Sequence, residues 1–243
     1  MSGKLACCPV ARNVGRFSIV AVVAAGLFVA VQSLSAKEHE KPDNAVMLFD
    51  GKDLSKWQHR DGSAPKWKVE AGGEGGGAMV VNGGDIVTKE KFKGDFILHV
   101  EFAPNDVGPG PTGQARGNSG VYLQENYEVQ VLDSYGVEKL AEGDCAGLYG
   151  LKPADKNMAK KPGEWQTYHI EFTAPKFEGE KKVKNARVTV YWNGEKVHDD
   201  VEIPATSGGG KGESPAGGGI SLQDHGNPVK YRNIWIAPKG EKK

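Results

Sequence analysis

Gly117-Asn118-Ser119-Gly120-Val121-Tyr122-Leu123-Gln124-Glu125-Asn126-Tyr127-Glu128-Val129-Gln130-Val131-Leu132-Asp133 reads as two strands joined by a very short turn. Side chains alternate across a strand, so Glu128 and Gln130 share one face while Val129 and Val131 share the other. A strand that is apolar on one face and carries a carboxyl and an amide on the other has two readings. The polar face is either the concave face of a sandwich, lined for a ligand, or its solvated outside. Alternation alone leaves these two equal.

The same period of two runs outward from this stretch. Phe96, Leu98, Val100 and Phe102 lie on one side of a strand whose other side carries His99 and Glu101. Further strands are predicted at 165–172, 186–192, 196–203, 219–222 and 231–236, with shorter ones at 46–49, 67–69, 78–81 and 85–88. Asn193-Gly194, set between two alternating runs, predicts a two-residue hairpin. Helical periodicity is nearly absent after residue 36, and no alternation of strands with helices is visible. The expected fold is therefore all-β, a two-sheet antiparallel jelly-roll sandwich.

The chain has 243 residues, 31 basic and 31 acidic. The zero balance is a cancellation, because Lys4, Arg12 and Arg16 lie in the first 36 positions, which hold no acid. Residues 17–31 form an uncharged apolar run that follows these basic residues and leads to Gln-Ser-Leu-Ser-Ala. This is the layout of a secretory signal peptide, with cleavage expected after Ala36; a retained N-terminal anchor is the alternative. Behind it come a charged linker over 37–44, a single domain over 45–238 and a charged tail over 239–243. The remaining chain is mildly acidic and has no clustered basic surface, which argues against nucleic acid as a partner. After cleavage no membrane attachment is expected, and the chain would be periplasmic or secreted. Cys145 is then the one remaining thiol, expected as a small buried apolar side chain. Glycine, 34 residues in all, collects in segments 72–77, 104–117 and 208–219, which are read as loops. The last two lead into the stretch quoted first and into Gln223-Asp224-His225, and both are expected to border one pocket.

Several segments, taken in chain order, carry a family resemblance: Leu48-Phe49-Asp50-Gly51-Lys52-Asp53-Leu54-Ser55-Lys56-Trp57, Gly117-Asn118-Ser119-Gly120-Val121, Tyr127-Glu128-Val129-Gln130, Gly147-Leu148-Tyr149-Gly150, Gly163-Glu164-Trp165-Gln166, Ile220-Ser221-Leu222-Gln223-Asp224-His225-Gly226 and Tyr231-Arg232-Asn233-Ile234. Together they resemble the 3-keto-disaccharide hydrolase domain family. The resemblance implies a concanavalin A-like lectin/glucanase jelly roll, export, and cleavage of glycosides whose C3 hydroxyl has been oxidised to a ketone. In laminarinase-type relatives of that fold a concave strand carries an E-x-D-x-x-E pattern. Glu128, Gln130 and Asp133 have the same spacing but differ at two of the three residue types.

A retaining glycosidase needs two carboxyl groups about 5–5.5 Å apart, and these replacements weaken that route. A 3-keto sugar allows another, in which a base removes the acidified C2 proton, the enolate expels the C1 substituent, and water adds to the enone. The resemblance makes Glu128 the expected base, with His225 as acid or alternative base. Arg116, Asn118 and Gln130 are expected to donate to the enolate or to sugar hydroxyls, with Asp133 as a further substrate contact. Gln223 and Asp224 would orient the ring or His225, and Trp57 and Tyr149 would stack on sugar faces. A divalent metal among Glu128, Asp133 and His225 would polarise the ketone, the alternative being a simply hydrogen-bonded carboxylate. The competing function is a lectin-like module of the same fold that binds carbohydrate without chemistry.

Overall fold

The computed structural model describes residues 39–72 and 76–240. The expected signal peptide lies outside the described residues, as do Lys37 and Glu38 of the linker and residues 241–243 of the tail. Fifteen strands follow in chain order: β1 (Val46–Phe49), β2 (Trp57–His59), β3 (Lys68–Glu70), β4 (Ala78–Val80), β5 (Ile86–Thr88), β6 (Phe96–Ala103), β7 (Ser119–Leu123), β8 (Tyr127–Val131), β9 (Gln166–Thr173), β10 (Lys176–Glu178), β11 (Lys181–Lys184), β12 (Ala186–Trp192), β13 (Glu195–Ile203), β14 (Ser221–Leu222) and β15 (Lys230–Pro238). The one helical element among the described residues is a 3-10 turn over Gly113–Ala115.

All pairings are antiparallel. The large sheet runs β13-β12-β9-β6-β15-β4-β3, with β1 also on β15, and the small sheet runs β2-β5-β14-β7-β8. These are the two layers of the jelly roll. The core between them is built by the alternation seen in the sequence: Leu98, Val100 and Phe102 of β6 and Tyr168, Ile170 and Phe172 of β9 meet Val121, Leu123, Val129 and Val131 of the small sheet, all fully buried. The hairpin joining β12 to β13 turns at Asn193 and Gly194, both at positive φ. That backbone twist is the one that matches right-handed strands.

The Lys-rich 176–184 segment forms the separate hairpin β10–β11, and its Lys182 reaches across to Glu213 at 2.6 Å. Trp57, expected to stack on a sugar face, lies in β2. It is wholly buried, and its indole Nε1 donates to Leu48 O at 2.8 Å. An indole sealed in this way is core and offers no face to a sugar.

The two sheets also touch through phenols. Tyr168 of β9 crosses the core to donate to Gln130 O at 2.6 Å and to accept from Ala146 N at 2.7 Å. Tyr231 of β15 does the same to Ser119 Oγ at 2.7 Å, and that hydroxyl in turn donates to Gln223 O at 2.6 Å. Strands β7, β8 and β14 are thus held at fixed depth against the large sheet. Cys145, buried as expected, sits 3.1 Å from the Tyr168 hydroxyl, and burial pushes its thiol up to about 12.

Candidate active site

Every residue of β7 and β8 is buried, on both faces. The polar face of β8 is therefore not the solvated outside of the sandwich. It is roofed by loops. Segment 104–117 covers one end through Gln114 and Arg116, and segment 204–219 covers the other through Ser207, Gly208 and Gly209. Both glycine-rich loops border the same face of the small sheet.

Glu128 stands opposite Tyr122 in the β7–β8 register, and Gln130 stands opposite Gly120. The Tyr122 hydroxyl lies 2.8 Å from Glu128 Oε2 and 3.0 Å from Gly208 O, and it receives the Gln223 amide from 3.3 Å. The other oxygen, Oε1, lies across Gly120, where an added Cβ would sit only 2.3 Å away. Only glycine at 120 leaves room for this carboxyl. Oε1 accepts no hydrogen bond from the described residues and is not one of their sealed polar atoms, so it keeps contact with solvent. Burial, reinforced by the charge of Asp85, pushes Glu128 up to about 7 against the pull of the Tyr122 bond. Burial also raises Tyr122, helped by the Glu128 charge.

Asp85 precedes β5. Its Oδ1 accepts from Asp224 N at 2.8 Å, and its Oδ2 faces Arg60 at 3.4 Å. Among the described residues Arg60 holds only that long contact and one of 3.5 Å to Gly209 O, so most of its N–H groups remain available to a ligand. Tyr122, Asp85 and Arg60 were not among the residues singled out from the sequence. Tyr122 was within reach, since counting back from Glu128 across a very short turn pairs the two. Nothing local ties Asp85 or Arg60 to strands so far along the chain.

At the other end of the face, Gln130 Nε2 donates to Gln114 Oε1 at 3.0 Å and to Gly143 O at 3.2 Å, while its Oε1 accepts from Val131 N at 3.1 Å. That amide is fully engaged and has no donor left for an enolate. Asn118 donates to Gln114 through Nδ2, leaving its buried Oδ1 open as an acceptor. Arg116 is turned to Asp133 through Nη2 and to Pro111 O through Nη1 at 3.4 Å, and Asp133 Oδ1 also accepts from Tyr135 N at 3.1 Å. Tyr149 is half-buried beside Gly143, and its backbone amide donates to Glu128 O at 3.2 Å.

Asp224 holds the backbone rather than His225. Its oxygens accept from Gly84 N and Gly226 N at 2.7 and 2.8 Å, tying two loops together. His225 is exposed on the turn after β14, two residues past Gln223, and no hydrogen bond joins its ring to Glu128. Glu128 lies within β8, whereas Asp133 lies two residues past the end of that strand and is paired with Arg116. Glu128, Asp133 and His225 are not a common ligand set, and among the described residues no group of three His, Cys, Asp or Glu side chains is placed to hold a metal ion.

The relatives of this two-layer jelly roll, with its buried carboxyl on one roofed face, place it in the class of jelly-roll glycoside hydrolases. Within that class the chain belongs to the 3-keto-alpha-glucoside-1,2-lyase-like domain family, whose model matches residues 44–237. It is 30% identical over 240 residues to the 3-keto-disaccharide hydrolase of Bacteroides thetaiotaomicron, covering 80% of this chain and 78% of that one. Among solved structures, a candidate glycosyl hydrolase from Parabacteroides distasonis is 38% identical with a TM-score of 0.71, over 82% of this chain and 85% of that one. A second from the same organism is 25% identical with a TM-score of 0.54, over 81% of this chain and all of its own.

Proposed function

We propose that this chain hydrolyses glycosides whose sugar carries a ketone at C3, by elimination followed by hydration, with Glu128 as the base. The observation that carries the reading is the state of Glu128: one oxygen held by Tyr122, the other unbonded and facing solvent, and a proton affinity raised to about 7. A base of that strength takes and returns protons near neutral pH. Oε1 would remove the C2 proton, leaving an enolate whose negative oxygen is the former ketone. Arg60 and the second N–H of Gln223 are the donors on this face able to meet that charge. The enolate expels the C1 substituent, which leaves with a proton supplied by an acid such as His225. Water then adds its hydroxyl to C1 and its proton to C2, so the sum is hydrolysis.

Direct displacement needs a second unengaged carboxyl close to the first. The two acids related to Glu128 here, Asp85 and Asp133, both have their oxygens committed to other groups. The relatives named above support the substrate class, since one of them is a 3-keto-disaccharide hydrolase. The decisive experiment is turnover of a 3-keto-disaccharide in D₂O. Deuterium at C2 of the product is the expected result; cleavage without it overturns elimination. We also propose export through residues 1–36 to the periplasm or medium, tested by N-terminal sequencing of the mature protein, where a start at Lys37 is expected and an intact Met1 in exported protein would refute it.

A further inference from the structure

The Tyr122 hydroxyl has one proton and two neighbours that only accept when Glu128 is ionised. Glu128 Oε2 lies at 2.8 Å and the Gly208 carbonyl at 3.0 Å, while Gln223 Nε2 already donates to the same oxygen from 3.3 Å. A phenol donates once. With Glu128 ionised, the proton goes to the carboxylate, because a bond to a charged acceptor is the stronger, and Gly208 O loses its donor. With Glu128 protonated, the carboxyl O–H donates to the Tyr122 oxygen, and the phenol proton turns to Gly208 O. All three contacts are then satisfied at once.

We infer that Tyr122 is a positioning residue that sets the proton affinity of Glu128 and reports its protonation to the 204–219 loop through the Gly208 carbonyl. The loop is built to receive such a signal. Its flanks are fastened elsewhere, by Ser207 Oγ to Glu128 N, by Gly212 N to Asn126 Oδ1, and by Glu213 to both Tyr127 and Lys182. Only the stretch around Gly208 and Gly209 leans on the phenol, and Gly209 approaches so closely that an added Cβ would lie 3.1 Å from the Tyr122 oxygen. The other titratable groups acting on this pair are Asp85 from β5's leading loop, Arg60 from the loop after β2, and Tyr231 from the large sheet. None of them is hydrogen-bonded to Gly208.

The inference deepens the reading of Glu128 as the base, but its test needs no substrate. The full chain is labelled with ¹³C at glutamate Cδ and glycine carbonyls and followed by NMR from pH 5 to 9. E128Q identifies the Glu128 signal, and G208A, at a position with open space around its Cα, identifies that of Gly208. In the wild-type protein the Gly208 carbonyl is expected to titrate with the Glu128 midpoint. In Y122F that response disappears and the Glu128 midpoint rises by about one unit, because the ionised form has lost its donor. G209A, which crowds the loop away from the phenol, moves the midpoint down. A Gly208 carbonyl that stays flat through the Glu128 titration, or one that responds identically in Y122F, overturns the inference. Failure of the 3-keto-disaccharide assay would leave these signals as they are and would count against the substrate assignment instead.

Discussion

Glu101 and Glu128 are the same side chain on the outward faces of the two sheets, and the structure drives them in opposite directions. Burial raises both. At Glu101, on β6, that rise is overcome by His99, by Asn233 Nδ2 at 2.8 Å and by Arg232 Nε at 2.6 Å, and the carboxyl falls to about 2. At Glu128, on β8, a single phenol opposes burial and loses, and the carboxyl stands near 7. The difference lies in the number of donors each buried acid is given. A carboxylate held by a cation and an amide is a strut, whereas one held by a lone phenol exchanges its proton at neutral pH.

Replacing each glutamate in turn tests this contrast hardest. E128Q is expected to lower kcat about 10³-fold, within the usual range for loss of a general base, while E101Q changes it less than about threefold. Equal losses would erase the distinction between the faces. In stability the ranking inverts. Glu101 has a folded pKa below its unfolded value of 4.5, so its contribution is present above pH 4.5 and fades as the pH falls towards 2. E101Q is therefore expected to cost on the order of 2–3 kcal/mol at pH 7 and little at pH 2, read from urea melts.

A smaller effect is expected at Gly120. G120A places a methyl against Glu128 Oε1 and, by turning the carboxyl from its approach to the sugar, lowers kcat about tenfold with little change in Tm. The smallest is a pH effect. Because Glu128 is raised from 4.5 to about 7, the folded state holds a proton that the unfolded chain releases. Stability from this group is full below pH 4.5 and declines as pH rises to about 7, so E128Q flattens that decline. The activity of the wild-type enzyme, by contrast, rises across pH 7 as the base ionises. A pH–rate profile with no limb near 7 would remove Glu128 from that role.

The strands were legible wherever one face was apolar. β12 was predicted at its observed bounds, and β6, β9 and β15 to within two residues, because alternation over seven to nine residues has no other explanation. β2 was not legible, since three residues inside a run of turn formers carry no period. The β10–β11 hairpin was hidden because its short strands, rich in exposed lysine, carry no sustained alternation of apolar and polar residues. For the site, the shared face of Glu128 and Gln130 was legible. Its roofing was not, because the covering loops come from residues 104–117 and 204–219 and the sequence does not say where a loop folds back. Arg116, Gln130, Asp133 and Asp224 were picked out as polar residues near the right strands. Geometry gives them to each other and to backbone amides instead.

The segment after Cys145 lies along the outer rim of β8. Ala146 N donates to Gln130 O, Gln130 N to Gly147 O and Tyr149 N to Glu128 O, and Leu148 bridges Val129. The strand that carries Glu128 is last in its sheet yet offers little free backbone for pairing. A second molecule cannot add a strand there without displacing this cover. Tyr127, Val129 and Val131 favour strand and all five residues of β8 are buried, so the same strand left open at this edge would be a seed for aggregation.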